Sequence, residues 1–277
     1  MNRKTRRTKN KAGAGASPES LHMEAVAAFQ QGDLTLASEL FGRLARLQPK
    51  NAEAHYNHGV ASQRAGLFVG AVKAYLSTIK LAPSNPAAYN NLGDSYESLK
   101  RLDDARAAYC KAIQVAPDSP EAINNLGLLE QRRGNFGQAE ALFRRCLEVI
   151  PDEASVRGNL GNVLRERGRF GDAIVIYKQA LEKTPDDTLI LKNLGLALQS
   201  REQNEEARDV FNRILEINPD SAEAHINLAD QSYRLGEKTD VENRLRQALS
   251  LDPANADVYY LLMKVKKVAD PEDQDLS

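Results

Sequence analysis

Six asparagines stand 34 residues apart in this chain: Asn57, Asn91, Asn125, Asn159, Asn193 and Asn227. The pattern around them returns each time, as in AYNNLGDSYESL (88–99), AINNLGLLEQRRG (122–134) and ILKNLGLALQSRE (190–202). A fixed period without insertions constrains folding more than the length of 277 residues does. A repeat this short cannot bury its own apolar face and must lean on the next, so the array grows lengthwise. Numbering each unit 1 to 34 gives seven full repeats: 18–51, 52–85, 86–119, 120–153, 154–187, 188–221 and 222–255.

Local chemistry divides each unit into two helices. Position 34 holds Asn51, Asn85, Ser119, Asp187, Ser221 or Asn255, side chains that accept from the free amides of a following helix. Pro86 and Pro120 sit at the first helical position, and Glu53, Glu121 and Glu223 lie in the first turn, where the helix dipole favours acids. Position 15 is glycine in five repeats (Gly32, Gly66, Gly134, Gly168 and Gly236), which suits a left-handed residue past a helix end. Lys100 and Glu202 replace it and are expected to loosen packing locally. Position 32 is proline throughout, from Pro49 to Pro253, and stops the second helix.

Between these boundaries, small residues at position 8 (Gly59, Gly93, Gly127, Gly161, Gly195, Ala229) are expected to face alanines at position 20 (Ala37, Ala71, Ala105, Ala139, Ala173, Ala207). The aromatics at position 24, Phe41, Tyr75, Tyr109, Phe143, Tyr177 and Phe211, are expected to serve core packing alone. With these offsets the chain resembles the tetratricopeptide repeat family. The resemblance covers 18–255 and implies an all-α, right-handed superhelical solenoid of seven helix-turn-helix repeats, closed by a C-terminal helix over 256–268. A basic disordered tail over 1–17 and an acidic tail over 269–277 flank it. Val241 replaces an expected alanine, and His58 stands where leucine is usual.

In the first helix, positions 3, 4, 7, 8 and 11 face the core, which leaves 2, 5, 6, 9 and 12 on the other side. The resemblance puts that side on the concave surface. The six asparagines at position 6 then form a row spaced by roughly 10 Å. An extended strand advancing ~3.3 Å per residue meets one about every third residue, with the amide donating to a carbonyl and accepting from an N–H. The competing use of such a side chain is a bridge to the adjacent repeat. A row of this kind resembles the asparagine ladder in the repeat superhelix of O-linked N-acetylglucosamine transferases and, on a different repeat, that of importin-alpha. The resemblance implies sequence-tolerant binding of extended protein segments. Flanking residues expected to tune selectivity are Tyr56, Asn90, Asn124 and Lys192 at position 5, Asp94, Asn162 and Asp230 at position 9, and Arg165 and Tyr233 at position 12.

Other chemistry finds little support. Net charge is -1 and charged residues make up 27%, so no global field draws nucleic acid or membrane. The six basic residues before position 12 attract polyanions only weakly. No apolar run approaches a membrane span and no secretory signal is evident, so a cytoplasmic protein is expected. Cys110 and Cys146 lie in no paired framework. His55 and His58 lack a third metal ligand, no catalytic motif is present, and neither a cofactor nor enzymatic activity is expected.

The eighth unit supplies a lone helix, ADVYYLLMKVKKV. Val258, Tyr259, Leu262 and Val265 are expected to cover repeat seven, leaving Tyr260, Leu261, Met263 and Val268 bare. The row ends in Met23 at one side and Leu261 at the other. Three functions follow: a peptide-binding scaffold, a substrate-recruiting region ahead of a glycosyltransferase or sulfotransferase domain, or a scaffold that self-assembles through its repeat ends.

Overall fold

The computed structural model describes residues 17–269, in fifteen helices with no strand among the described residues. The tails read from the sequence lie largely outside that range. The helices are α1 (Pro18–Gln30), α2 (Leu34–Leu47), α3 (Ala52–Arg64), α4 (Phe68–Leu81), α5 (Pro86–Ser98), α6 (Leu102–Val115), α7 (Pro120–Arg132), α8 (Phe136–Val149), α9 (Ala154–Glu166), α10 (Phe170–Leu181), α11 (Thr188–Ser200), α12 (Asn204–Ile217), α13 (Ala222–Arg234), α14 (Lys238–Leu251) and α15 (Ala256–Ala269). Odd-numbered helices open the repeats and even-numbered ones close them. The chain divides into two compact units, Met1–Leu129 and Glu130–Ser277, with the division falling within the sequence of α7.

Each expected boundary has its physical agent. Asn51 Oδ1 accepts from the amides of Glu53 and Ala54 at 3.0 and 3.2 Å, and Asp187 Oδ1 accepts from Leu189 and Ile190 at 3.0 Å. Glu153 caps α9 in the same way, holding the Ser155 amide at 3.4 Å, a cap not expected from the sequence. All five turn glycines have positive φ, and Lys100 and Glu202 adopt the same left-handed turn at φ 60°. The second helices stop one residue earlier than a proline clash alone requires. Gln48, Ala82, Ala116, Asn218 and Asp252, each just before the position-32 proline, take φ between -121° and -134° with ψ between 65° and 90°. Proline drives its predecessor out of the helical region.

The core does not set small against small. A Cβ added at Gly59 would lie 2.6 Å from the Tyr75 ring, and one at Gly195 would lie 2.5 Å from Phe211. Gly93 and Gly161 are pressed as closely by Tyr109 and Tyr177. Position 8 is therefore a seat for the position-24 ring, and the alanines at position 20 are buried beside it. Tyr75, Phe143, Tyr177 and Phe211 are fully buried.

In the second unit one carboxylate ties consecutive repeats together. Glu140 on α8, 7% exposed, accepts from Arg144 on its own helix, and from Arg167 and Arg169 in the turn after α9. Burial pushes its carboxyl up, but the Arg144 hydrogen bond and the charges of Arg169 and Arg167 outweigh this and hold it below the usual carboxylate range.

Candidate functional site

The opening helices of successive repeats touch, α3 with α5 and α9 with α11. This contact places position 6 of one repeat against positions 5 and 9 of the repeat before it. In the first unit, Asn91 Nδ2 donates to the Tyr56 hydroxyl at 3.1 Å. Asn125 Nδ2 donates to Asn90 Oδ1 at 3.1 Å and to Asp94 Oδ1 at 3.2 Å. These rungs are part-buried and bridge repeats, the competing use weighed from the sequence. Asn57 lines a cavity of about 360 Å³ with Met23, which is 66% exposed.

Behind this face stand the tyrosines. Tyr109 donates to Asp94 Oδ1 at 2.6 Å, with Glu97 Oε1 3.0 Å from the same hydroxyl, and Tyr75 donates to Gln63 Oε1 at 2.6 Å. The position-24 ring therefore does more than pack. Its hydroxyl reaches past the position-8 glycine to the polar side of the opening helix. The same link recurs in the second unit, where Tyr177 donates to Asn162 Oδ1 at 2.7 Å. Burial pushes the Tyr177 hydroxyl up to about 12, with the charge of Arg165 opposing. Burial likewise raises Tyr109, reinforced by the Asp94 charge.

The remaining second-unit residues are spread along α9, α11 and α13. Asn159 on α9 is part-buried and has a partner of its own, as does Asn124 in the first unit. Arg165 pairs with Glu166 at 3.0 Å. Lys192 Nζ lies 3.3 Å from Glu223 Oε1, so α11 and α13 share an ion pair across the proposed selectivity positions. Asn193 is 9% exposed, and Asn227 lines the cavities on either side of it. Among the described residues, the side chains of Asn57, Asn193 and Asn227 take no hydrogen bond. The position-6 asparagines thus have two characters: Asn91 and Asn125 bond to the preceding repeat, and Asn57, Asn193 and Asn227 bond nothing among the described residues.

One feature had no counterpart in the sequence reading. A cavity of about 390 Å³ is lined by Leu196, Ile226, Asn227, Tyr233, Leu261 and Lys264, among others. The α15 helix departs from expectation at Tyr259, which is 50% exposed rather than covering repeat seven. Val258, Leu262 and Val265 do that work, and Tyr260 and Met263 are 67% and 70% exposed. The side chain of Val268 lies outside the described residues.

Among the described residues no group of three or more His, Cys, Asp or Glu side chains could hold a metal, and no helix is long and apolar enough to cross a membrane. Both cysteines are free thiols.

Family models described as tetratricopeptide repeat match residues 22–86, 63–120, 118–185 and 164–231. No curated protein sequence matches significantly. Among solved structures, the chain is similar to a tetratricopeptide repeat protein from Parabacteroides merdae, with TM-score 0.66 and 21% identity over 91% of this chain and 100% of that one. The C-terminal part of a TPR repeat-containing protein from Cytophaga hutchinsonii superposes with TM-score 0.72 and 15% identity, covering 86% and 98%. YrrB, described as a TPR protein with an unusual peptide-binding site, gives TM-score 0.61 and 21% identity, covering 71% and 99%.

Proposed function

Because this chain belongs to the tetratricopeptide repeat family, we propose that it is a non-catalytic, cytoplasmic scaffold that holds extended peptide segments along its asparagine-lined face. The observation that carries this reading is the pair of unlike roles at one repeat position. Inter-repeat bridging accounts for Asn91 and Asn125, but it does not account for keeping an asparagine at 57, 193 and 227, where the side chain bonds nothing among the described residues. A half-buried amide without a partner forfeits a hydrogen bond that a ligand main chain supplies. The peptide-binding site described for YrrB supports the class of ligand. Selectivity then falls to the flanking positions, Asn90, Asn124, Asp94, Asn162, Arg165 and Lys192, and to the cavity beside Asn227.

The test uses a phage-displayed library of random 12-residue peptides selected on the wild-type chain. Changing Asn57, Asn193 and Asn227 together to Ala is expected to weaken the selected peptides by about 0.5–1.5 kcal/mol per lost bond while leaving the melting temperature nearly unchanged. Failure to enrich any peptide, or equal binding by the triple variant, would refute the reading.

A further inference from the structure

We infer that Asn91 and Asn125 read a bound strand through its N–H groups alone, because the preceding repeat has claimed their amide nitrogens; this rests on the peptide-binding reading above. A free asparagine is two-sided, donor and acceptor at once, and matches either group of a peptide bond. These two are not free.

Asn125 shows the constraint most clearly. Its neighbour Asp94 is a carboxylate, which only accepts, and the Tyr109 hydroxyl already donates to the same Oδ1 at 2.6 Å. The Asn125 atom 3.2 Å from that oxygen must therefore be the NH₂ nitrogen. Its second proton goes to Asn90 Oδ1 at 3.1 Å. Both donors are spent. At Asn91 the nitrogen donates to Tyr56 at 3.1 Å and faces Tyr75, whose single proton is committed to Gln63 at 2.6 Å. The Oδ1 atoms of both rungs take no hydrogen bond among the described residues, and both side chains are part-buried rather than enclosed. Two acceptors, one repeat apart, remain for the ligand.

The consequence is a rule for the ligand. Rungs separated by roughly 10 Å match a strand with three residues per turn and ~3.1 Å rise, which returns one face about every 9 Å. Residues at two positions three apart must carry an N–H, and proline is excluded there but tolerated between them. Asp94 is the positioning residue that orients the second rung, and Tyr109 secures Asp94.

The experiment takes one library-selected peptide whose binding depends on Asn91 and replaces each backbone amide in turn by an N-methyl amide and, separately, by an ester. The ester removes the donor without the methyl group's bulk. Both replacements are expected to weaken binding about fivefold or more at two positions three residues apart. In Asp94→Leu the acceptor that fixes Asn125 is gone, its amide is free to present either edge, and sensitivity to the ester falls at one of the two positions and is kept at the other, whereas Asp94→Asn, whose Oδ1 still accepts from Tyr109 and Asn125, keeps both. A flat ester scan in a peptide that still requires Asn91 overturns the wiring and leaves the binding function standing. Identical scans for wild type and Asp94→Leu overturn the role of Asp94.

Discussion

At the scale of single residues, the turns between paired helices show how backbone conformation overrides composition. Lys100 and Glu202, which replace the turn glycine, hold the same positive φ as the glycines at the equivalent position. The Lys100 amide donates to the Glu97 carbonyl at 2.8 Å, as the Gly66 amide does to Gln63 at 3.0 Å. Identical hydrogen bonds draw both residue types into one geometry, and the side chain bears the cost. A left-handed residue with a Cβ is strained by roughly 1–2 kcal/mol, partly offset by the greater chain entropy that glycine loses on folding. Lys100→Gly and Glu202→Gly are each expected to stabilise the fold by about 0.5–1 kcal/mol, read as a higher midpoint in urea. A lower midpoint would mean that the longer side chains contribute contacts outweighing the strain.

Paired helices approach as closely as they do because an aromatic ring occupies the place of a missing side chain. Gly93→Ala is expected to destabilise the chain by about 1–3 kcal/mol, since the new methyl must displace the buried Tyr109 ring from its seat. Calorimetric unfolding measures this, and an unchanged transition would show that α5 and α6 separate freely. The hydroxyl that passes this seat had a trace in the sequence. Tyr109 and Tyr177 occur in repeats with Asp94 and Asn162 at position 9, whereas Phe41, Phe143 and Phe211 occur with Val26, Leu128 and Leu196 there. Tyr75 accompanies Val60 and bonds Gln63 one turn further on instead. Polar partner and hydroxyl vary together because a buried phenol without an acceptor is costly.

For the molecule as a whole, stability is expected to depend on pH through two histidines, His58 part-buried and His225 buried. Burial holds His58 below its ordinary value, aided by the nearby charges of Arg46 and His55, and burial with the charge of Arg244 does the same for His225. Below about pH 6.5 the unfolded chain binds protons that the folded chain refuses, so stability is present above that pH and falls as pH drops. The melting temperature should decline between pH 7.5 and 5.5, and His58→Leu should flatten the decline. A slope unaffected by that substitution would exclude His58. The period, the caps, the glycine turns and the prolines were all legible in the chain itself, because each is a local backbone demand met by residues a few positions apart. So was the recurrence of asparagine at one position of each opening helix, every 34 residues from Asn57 to Asn227. What only the packed repeats decided is which of those amides are spent. A hydrogen bond between Asn125 and Asp94 spans 31 residues and depends on how closely two opening helices meet, and no local rule carries that distance.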